Sequence, residues 1–399
     1  MRVFEPEASS DKDQPEAETP QISFVIPCLN ESQTILDVIE DCKTGGQHSR
    51  CSYEIIIADN GSTDGSQDIA KLAGAKVIVV EERGYGAALQ KGIECATGEI
   101  IIMGDADRTY NFQQADQFIK KIKEENCALV MGNRFKGEIE PGAMPRLHYY
   151  LGNPVLSFLG RTFFGITIGD FHCGLRAFSR REIQNLRLSC TGMEFASEMV
   201  IKASLMELSM SEIPTTLKKD PPNRKPHLKT WRDGWRHLKF MLSFAPKYNL
   251  LPLASLFLFI SIALFALYQA QIAPFTGTNT LVFSASSIVL ALNIVSDFVL
   301  TQEMLYTKFK PSKQNSMRRT ILGLSRGTDR IFKISAFALG ISTIAFLGLL
   351  REASLGTLST IQAQTFGFTG CVTLILSATS YQTACKLTSF KSLAQKNKI

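Results

Sequence analysis

The chain of 399 residues has nine cysteines but lacks a CxxC pair and any His/Cys spacing of the zinc type. A structural zinc site and a disulfide framework are therefore not expected, and the cysteines read as small buried apolar residues in a reducing compartment. The sequence also lacks a P-loop GxxxxGK[ST] and a complete GxGxxG, so neither of those phosphate-binding signatures is present. Residues 1–20 have no basic n-region and no apolar h-region; Glu5, Glu7, Asp11, Asp13, Glu16 and Glu18 stand there against Arg2 and Lys12. That composition excludes a secretory signal and reads as a disordered acidic leader, which leaves the first half of the chain cytoplasmic.

Hydrophobic residues make up 45% and charged residues 20%, an average that conceals a division, because the long uncharged apolar runs lie after residue 249. Four stretches have the length of a membrane span: 250–268, 281–300, 331–350 and 366–385. The second carries Asn293 and Asp297 and the fourth is rich in Thr, Ser and Gly, compositions that would also suit a buried soluble helix. The connecting charges favour spans. Residues 269–280 carry no charge and 351–365 only Arg351 and Glu352, whereas 301–330 hold seven Lys or Arg and the tail 386–399 is basic. Basic and neutral loops in alternation predict an even number of spans with both termini cytoplasmic.

Ahead of the first span, segment 218–249 is basic, and Trp231, Trp235, Leu238 and Leu242 recur at helical spacing. This predicts a helix lying on the cytoplasmic leaflet, an apolar stripe opposite a basic face; the plain alternative is a solvated basic linker. The basic residues adjoin spans rather than a free domain, so nucleic acid is not an expected partner.

Residues 21–217 alternate short β-branched runs with helical segments. Strands are predicted at 22–26, 53–58, 76–80, 99–103 and 128–131, with helices beginning near Ser32, Ser66, Gly86 and Gln113. That alternation predicts an α/β domain built on a mostly parallel, Rossmann-like sheet with helices on both faces, in which ligands collect beyond the carboxyl ends of the strands. The first strand leads into Pro27-Cys28-Leu29-Asn30-Glu31. The second leads into Asp59-Asn60-Gly61-Ser62-Thr63-Asp64-Gly65, whose carboxylate, amide and hydroxyls suit a base and ribose, although Ser62, Thr63 and Asp64 also suit turn and cap roles. The third leads into Arg83-Gly84-Tyr85-Gly86, small residues at a helix start that would let backbone N–H groups meet an anion. The fourth leads into Gly104-Asp105-Ala106-Asp107. Two carboxylates at this spacing on a strand end would face one hard cation, or else form a turn.

These residues together resemble family 2 glycosyltransferases of the GT-A fold: the FVIPCLNE opening, the DNGSTDGS loop, GYGAALQKG and the DAD triplet. More closely, GDADRTYNF, MGNRF, IGDFHCGLRAF and TGMEFASEM, followed by the basic stretch and the spans, resemble polyprenyl-phosphate glycosyltransferases of the dolichyl-phosphate mannose or glucose synthase type. The resemblance implies that Pro27, Asn30, Glu31 and Asp59 hold the nucleotide, with Gly84 and Gly86 beside its sugar-diphosphate and Asp105 also on the donor. It implies Mg²⁺ or Mn²⁺ on Asp105 and Asp107, an acceptor phosphate met by Arg134 and Arg176, and Glu198 close to the site. Either arginine would otherwise serve in a structural ion pair.

The implied activity is inverting, metal-dependent transfer of one hexose from a nucleotide sugar to polyprenyl phosphate at the cytoplasmic membrane face, within cell-envelope glycan synthesis. The implied partners are the nucleotide sugar, the lipid phosphate and the bilayer, and homo-oligomerisation stays open. The alternative is a processive or lipid-glycoside synthase acting on a hydroxyl. Against it, no TED occurs and Gln184-Asn185-Leu186-Arg187-Leu188 lacks the Trp of QxxRW, so Gln184 and Arg187 read as surface residues. His172-Cys173 departs from the commoner Ser-Gly form of its loop.

Overall fold

The computed structural model describes residues 19–221 and 230–309, with a few isolated positions beyond. The expected third and fourth spans and the basic tail lie outside the described residues apart from those positions, and the acidic leader lies outside them up to residue 18. The chain divides into two compact units. One is built from the residues up to Gly234, and the other takes Trp235 onward together with the short segments 162–165 and 204–207.

The first unit is organised on a seven-stranded sheet of order β3-β2-β1-β4-β6-β5-β7. Its strands are β1 (Ile22–Cys28), β2 (Tyr53–Asp59), β3 (Lys76–Val79), β4 (Ile100–Met103), β5 (Leu129–Asn133), β6 (Arg176–Ser179) and β7 (Met210–Pro214). β1, β2, β3 and β4 are mutually parallel, and β7 runs parallel to β5. β6 is antiparallel to both β4 and β5 and separates them, so the sheet is mixed but mainly parallel. Strands β1, β4 and β5 are mainly apolar, with Ser23 and Asn133 the polar exceptions, and almost wholly buried, as a sheet covered on both faces requires.

The covering helices are α1 (Ile35–Ser49), α2 (Ser66–Leu72), α3 (Tyr85–Cys95), α4 (Ala115–Glu125), α5 (Asn153–Phe164), α6 (Arg180–Asn185) and α7 (Phe195–Leu205). One core layer gathers Phe24, Ile26, Val38, Ile39, Phe112 and Phe118. Phe24 meets Tyr53 and Phe112 edge-on at 6.2 Å each, the favoured geometry for aromatic rings. α1 starts three residues later than its expected start because Thr34 and Ile35 donate their N–H groups to the Glu31 carbonyl, making residues 31–34 a turn. β1 lies between β2 and β4, and the chain crosses from one side of β1 to the other between β3 and β4. The carboxyl ends of β1 and β4 therefore border a topological switch point, where a crevice opens in sheets of this kind.

The chain continues with α8 (Thr230–Phe244), which begins in the first unit and ends in the second, and with α9 (Pro246–Gln269) and α10 (Thr278–Phe309). α9 and α10 are both long and apolar enough to cross a membrane and contain the first two expected spans. Ser261 and Ser284 join them reciprocally, each hydroxyl donating to the other residue's carbonyl at 2.8 Å, so the polar groups of this helix pair satisfy one another. On α8, Asp233, His237 and Met241 are buried, while Trp231 and Trp235 are 78% and 63% exposed. Arg232, Arg236 and Lys239 are exposed beside them. The basic residues thus flank the tryptophan stripe rather than oppose it as expected, because the opposite face is buried.

Candidate active site

The loops after β1, β2, β3 and β4 are tied together by side chains on one sheet edge. Asn30, in the left-handed region at φ 58°, accepts the Thr63 N–H on its amide oxygen at 2.8 Å, and its own N–H donates to the Ser62 hydroxyl at 2.9 Å. Its amide oxygen staples the first loop to the second. Glu31 is buried and its N–H donates to the Ser66 hydroxyl at 2.9 Å. Pro27 and Cys28 close β1 against Ala58 and Asp59 of β2. Asp64 takes up the turn role left open by the sequence: it accepts the N–H groups of Ser32 and Ser66. Its pKa is held down at about 2, since bonds to Ser66 and Ser32 outweigh the upward push of burial.

Asp59 is wholly buried. Its Oδ2 accepts the N–H groups of Gly61 and Ser62 at 3.0 and 3.1 Å and the Gln67 amide at 2.7 Å. Its Oδ1 is buried with no hydrogen-bond partner among the described residues. A carboxylate oxygen in that state is an acceptor awaiting a donor. Asn60 ties the second loop to the third, donating to the Glu82 carbonyl at 2.7 Å and accepting the Gly84 N–H at 2.7 Å.

The DAD triplet is braced on several sides. The Tyr85 hydroxyl donates to Asp105 Oδ1 at 2.9 Å, and Thr34 donates to the Ala106 carbonyl at 2.7 Å. The Thr109 hydroxyl and N–H both donate to Asp107 Oδ1, at 2.6 and 3.0 Å. Gly174, in the 170–176 loop, lies so close that a β-carbon there would stand 3.0 Å from Asp105 Oδ2. Among the described residues no group of three or more His, Cys, Asp or Glu surrounds a common point. Asp105 and Asp107 alone offer hard oxygen donors at a strand end, a set that suits Mg²⁺ or Mn²⁺ completed by water and diphosphate oxygens.

Gly84 and Gly86 have a packing reason for their size. Gly84 sits at φ 143°, and β-carbons on the two would run into the carbonyls of Thr191 and Cys190. The 189–192 segment therefore covers the start of α3, and Ala87 donates its N–H to the Thr191 carbonyl at 3.1 Å.

Three expected site residues lie behind the rim. Arg134 forms a buried bidentate pair with Asp170, at 2.6 Å from Nε and 2.9 Å from Nη2, so its charge is already compensated. Burial opposes that charge, but Tyr110 and Asp170 more than restore it, and the guanidinium stays protonated. Arg176 is 0% exposed and donates to the carbonyls of Cys173, Ala196 and Phe171 at 2.8, 2.7 and 3.3 Å. Its guanidinium holds backbone, and its side chain is wholly buried. Glu198 is 1% exposed, pairs with Lys202 at 2.6 Å and accepts the N–H groups of Ser189 and Cys190 at 2.9 and 2.8 Å. Its contribution is to anchor the 189–192 segment. Burial pushes its carboxyl upward, yet Lys202 and these N–H groups prevail and hold it below the ordinary range. His172 contacts Ser197 at 3.3 Å across its Nε2. Gln184 and Arg187 are exposed.

Sequence reasoning passed over Asp170, Tyr85 and Glu194. Asp170 and Tyr85 stood within the quoted motifs, and their partners Arg134 and Asp105 were the available signal. Glu194, within the TGMEFASEM motif, has a buried Oε2 without a hydrogen-bond partner among the described residues; its signal was the acidic i, i+4 spacing with Glu198.

A mainly parallel sheet with nucleotide-suited loops and a DAD triplet at one edge defines the GT-A class of glycosyltransferase fold. Residues 23–187 match the family described as glycosyl transferase family 2, and the chain belongs to that family. It is 40% identical over 229 residues to the low-salt glycan biosynthesis hexosyltransferase Agl6 of Haloferax volcanii, covering 57% of this chain and 55% of that one. The chain therefore spans about half the length of that relative. The glycosyltransferase AglJ of the same organism is 30% identical, covering 53% of this chain and 68% of its own length. A dolichyl-phosphate hexose transferase, also from Haloferax volcanii, is 28% identical and covers 48% and 81%. Among solved structures, glucosyl-3-phosphoglycerate synthase from Mycobacterium tuberculosis is similar at 22% identity and a TM-score of 0.46, covering 56% of this chain and 79% of that one.

Proposed function

We propose that this glycosyltransferase moves a single hexose from a nucleotide sugar to a polyprenyl phosphate, with inversion at the anomeric carbon, on the cytoplasmic face of a membrane. The observation that carries the reading is the placing of Asp59, Asp105 and Asp107 at the carboxyl ends of β2 and β4, the two strands that flank β1, on one sheet edge. The names of the relatives, a hexosyltransferase and a dolichyl-phosphate hexose transferase, support the sugar and the lipid class.

The buried Asp59 Oδ1 would accept a ring N–H of the base, with the Asn60 and Asn30 staples keeping the pocket's loops in place. Asp105 and Asp107 would hold Mg²⁺ or Mn²⁺, which when bound supplies positive charge to the departing diphosphate. The acceptor is a phosphomonoester whose second pKa is about 6, so it is mostly dianionic at neutral pH and needs no strong base to attack. Its charge is the obstacle. Since Arg134 and Arg176 are committed to Asp170 and to backbone carbonyls, the task of the rim is to position two anionic reactants around the acidic pair.

The lipid acceptor gives the apolar helices a purpose. A polyprenyl chain cannot leave the bilayer cheaply at about 0.8 kcal/mol per buried CH₂, so the reaction belongs at the membrane surface. The exposed Trp231 and Trp235, flanked by Arg232, Arg236 and Lys239, suit a headgroup layer; with α9 and α10 they favour a multi-pass protein whose catalytic unit is cytoplasmic. The test is product analysis: the full chain in lipid nanodiscs is given polyprenyl phosphate, Mg²⁺ and a panel of labelled nucleotide sugars. A lipid carrying one sugar and labile to mild acid is expected. Products with several sugars, or stable to acid, would establish a hydroxyl-directed synthase instead.

A further inference from the structure

Tyr85 is the first residue of α3, and its position is fixed from both sides. Before it, the Gly84 N–H is held by Asn60 Oδ1 at 2.7 Å; after it, Ala87 and Gln90 donate to the carbonyls of Thr191 and Cys190 at 3.1 and 2.8 Å. Those two carbonyls belong to the segment that Glu198 anchors through Ser189 and Cys190. From this fixed base the Tyr85 hydroxyl reaches Asp105 Oδ1 at 2.9 Å. Gly174 closes on the same carboxylate from another direction, toward Oδ2. A carboxylate can rotate about its last bond; here one oxygen is taken by a donor on a rigid helix start and the other is confined by a neighbouring backbone.

We propose that Tyr85 is a positioning residue that sets the rotation of the Asp105 carboxylate toward the divalent cation, and that the Glu198-anchored segment 189–192 keeps Tyr85 in place. The inference rests on the metal reading above. A ligand that rotates freely loses orientational entropy on binding a cation, whereas one fixed by an outer hydrogen bond has already done so. Tyr85 is suited to the task because a neutral donor steadies the carboxylate without neutralising it, as an arginine or lysine would.

The experiment measures Mn²⁺ affinity by electron paramagnetic resonance on the full chain in nanodiscs, with saturating UDP and, separately, GDP. Wild type, Tyr85→Phe, Asp105→Ala and the double variant are compared, and thermal midpoints are recorded alongside. Loss of an outer hydrogen bond of this kind weakens metal binding by about 10–100-fold, the shift expected for Tyr85→Phe. Adding it to Asp105→Ala should cost nothing further, because the hydroxyl acts only through that carboxylate. Wild-type Mn²⁺ affinity in Tyr85→Phe, or an additive loss in the double variant, would overturn the inference while leaving the metal reading intact. Unchanged affinity in Asp105→Ala would overturn both. A lowered thermal midpoint with normal affinity would assign Tyr85 a structural role and also refute the inference.

Discussion

The rim of the site and the layer directly behind it use charge in opposite ways. On the rim, Asp59, Asp105 and Asp107 are anionic groups steadied by hydroxyls, amides and N–H groups. Behind it, Arg134 with Asp170, Arg176 with three carbonyls, and Glu198 with Lys202 form closed, buried arrangements. The difference teaches that a charged residue within a recognisable motif is not thereby a reactive one. The rear layer shapes the loops, and the proposed chemistry falls to the rim.

The comparison breaks first at the buried pair. Asp170→Ala would leave Arg134 charged and uncompensated, a loss of about 3–5 kcal/mol, whereas the joint replacement Arg134→Met with Asp170→Leu should come close to wild-type stability. Thermal unfolding of the two variants checks this; equal destabilisation would show that the pair's geometry, rather than its charge balance, matters. Glu198→Gln should cost about 1.5–3 kcal/mol near neutral pH by weakening hydrogen bonds to a charged group. Because the folded carboxyl lies below its unfolded value, the contribution is complete above the unfolded value of about 4.3 and disappears as the pH falls through the folded one. The stability gap between wild type and Glu198→Gln, followed by circular dichroism, should therefore narrow in acid.

A smaller effect sharpens the contrast with the helical region. The chain has only two tryptophans, both on α8, so intrinsic fluorescence reports on that helix alone. Brominated lipids in nanodiscs should quench it, and Trp231→Phe should remove part of the quenched signal; emission insensitive to bromination would place α8 in water. Smallest of all is thiol reactivity. Burial raises Cys28 to about 11 and Cys173 and Cys190 to about 12, so at pH 8 each is about 0.1% thiolate or less, and mass spectrometry should find them alkylated slowly.

What could be read from the sequence followed from local order. Asp59, Asp105 and Asp107 each follow an apolar β-branched strand, so their place on the sheet edge needs only the alternation of strands and helices. β6 and β7 escaped notice because neither is an apolar β-branched run: RAFS opens with an arginine and ends in serine, and MSEIP carries Ser211, Glu212 and Pro214. A structural ion pair was an open alternative for Arg134, but the partners of Arg134, Arg176 and Glu198 were illegible because they lie elsewhere in the chain: Asp170, the carbonyls of Phe171, Cys173 and Ala196, and the N–H groups of Ser189 and Cys190. On α8, spacing alone revealed the tryptophan stripe, but not that Asp233 and His237 would be buried beneath it.

The rim's acidic pair is tested most directly by the metal dependence of hexosyl-lipid formation in wild type and Asp107→Asn. Chelation should abolish the wild-type reaction, Mg²⁺ or Mn²⁺ should restore it, and Asp107→Asn should be slower by about 10²–10³-fold at an unchanged thermal midpoint. Full turnover in the presence of chelator, or in Asp107→Asn, would contradict the account.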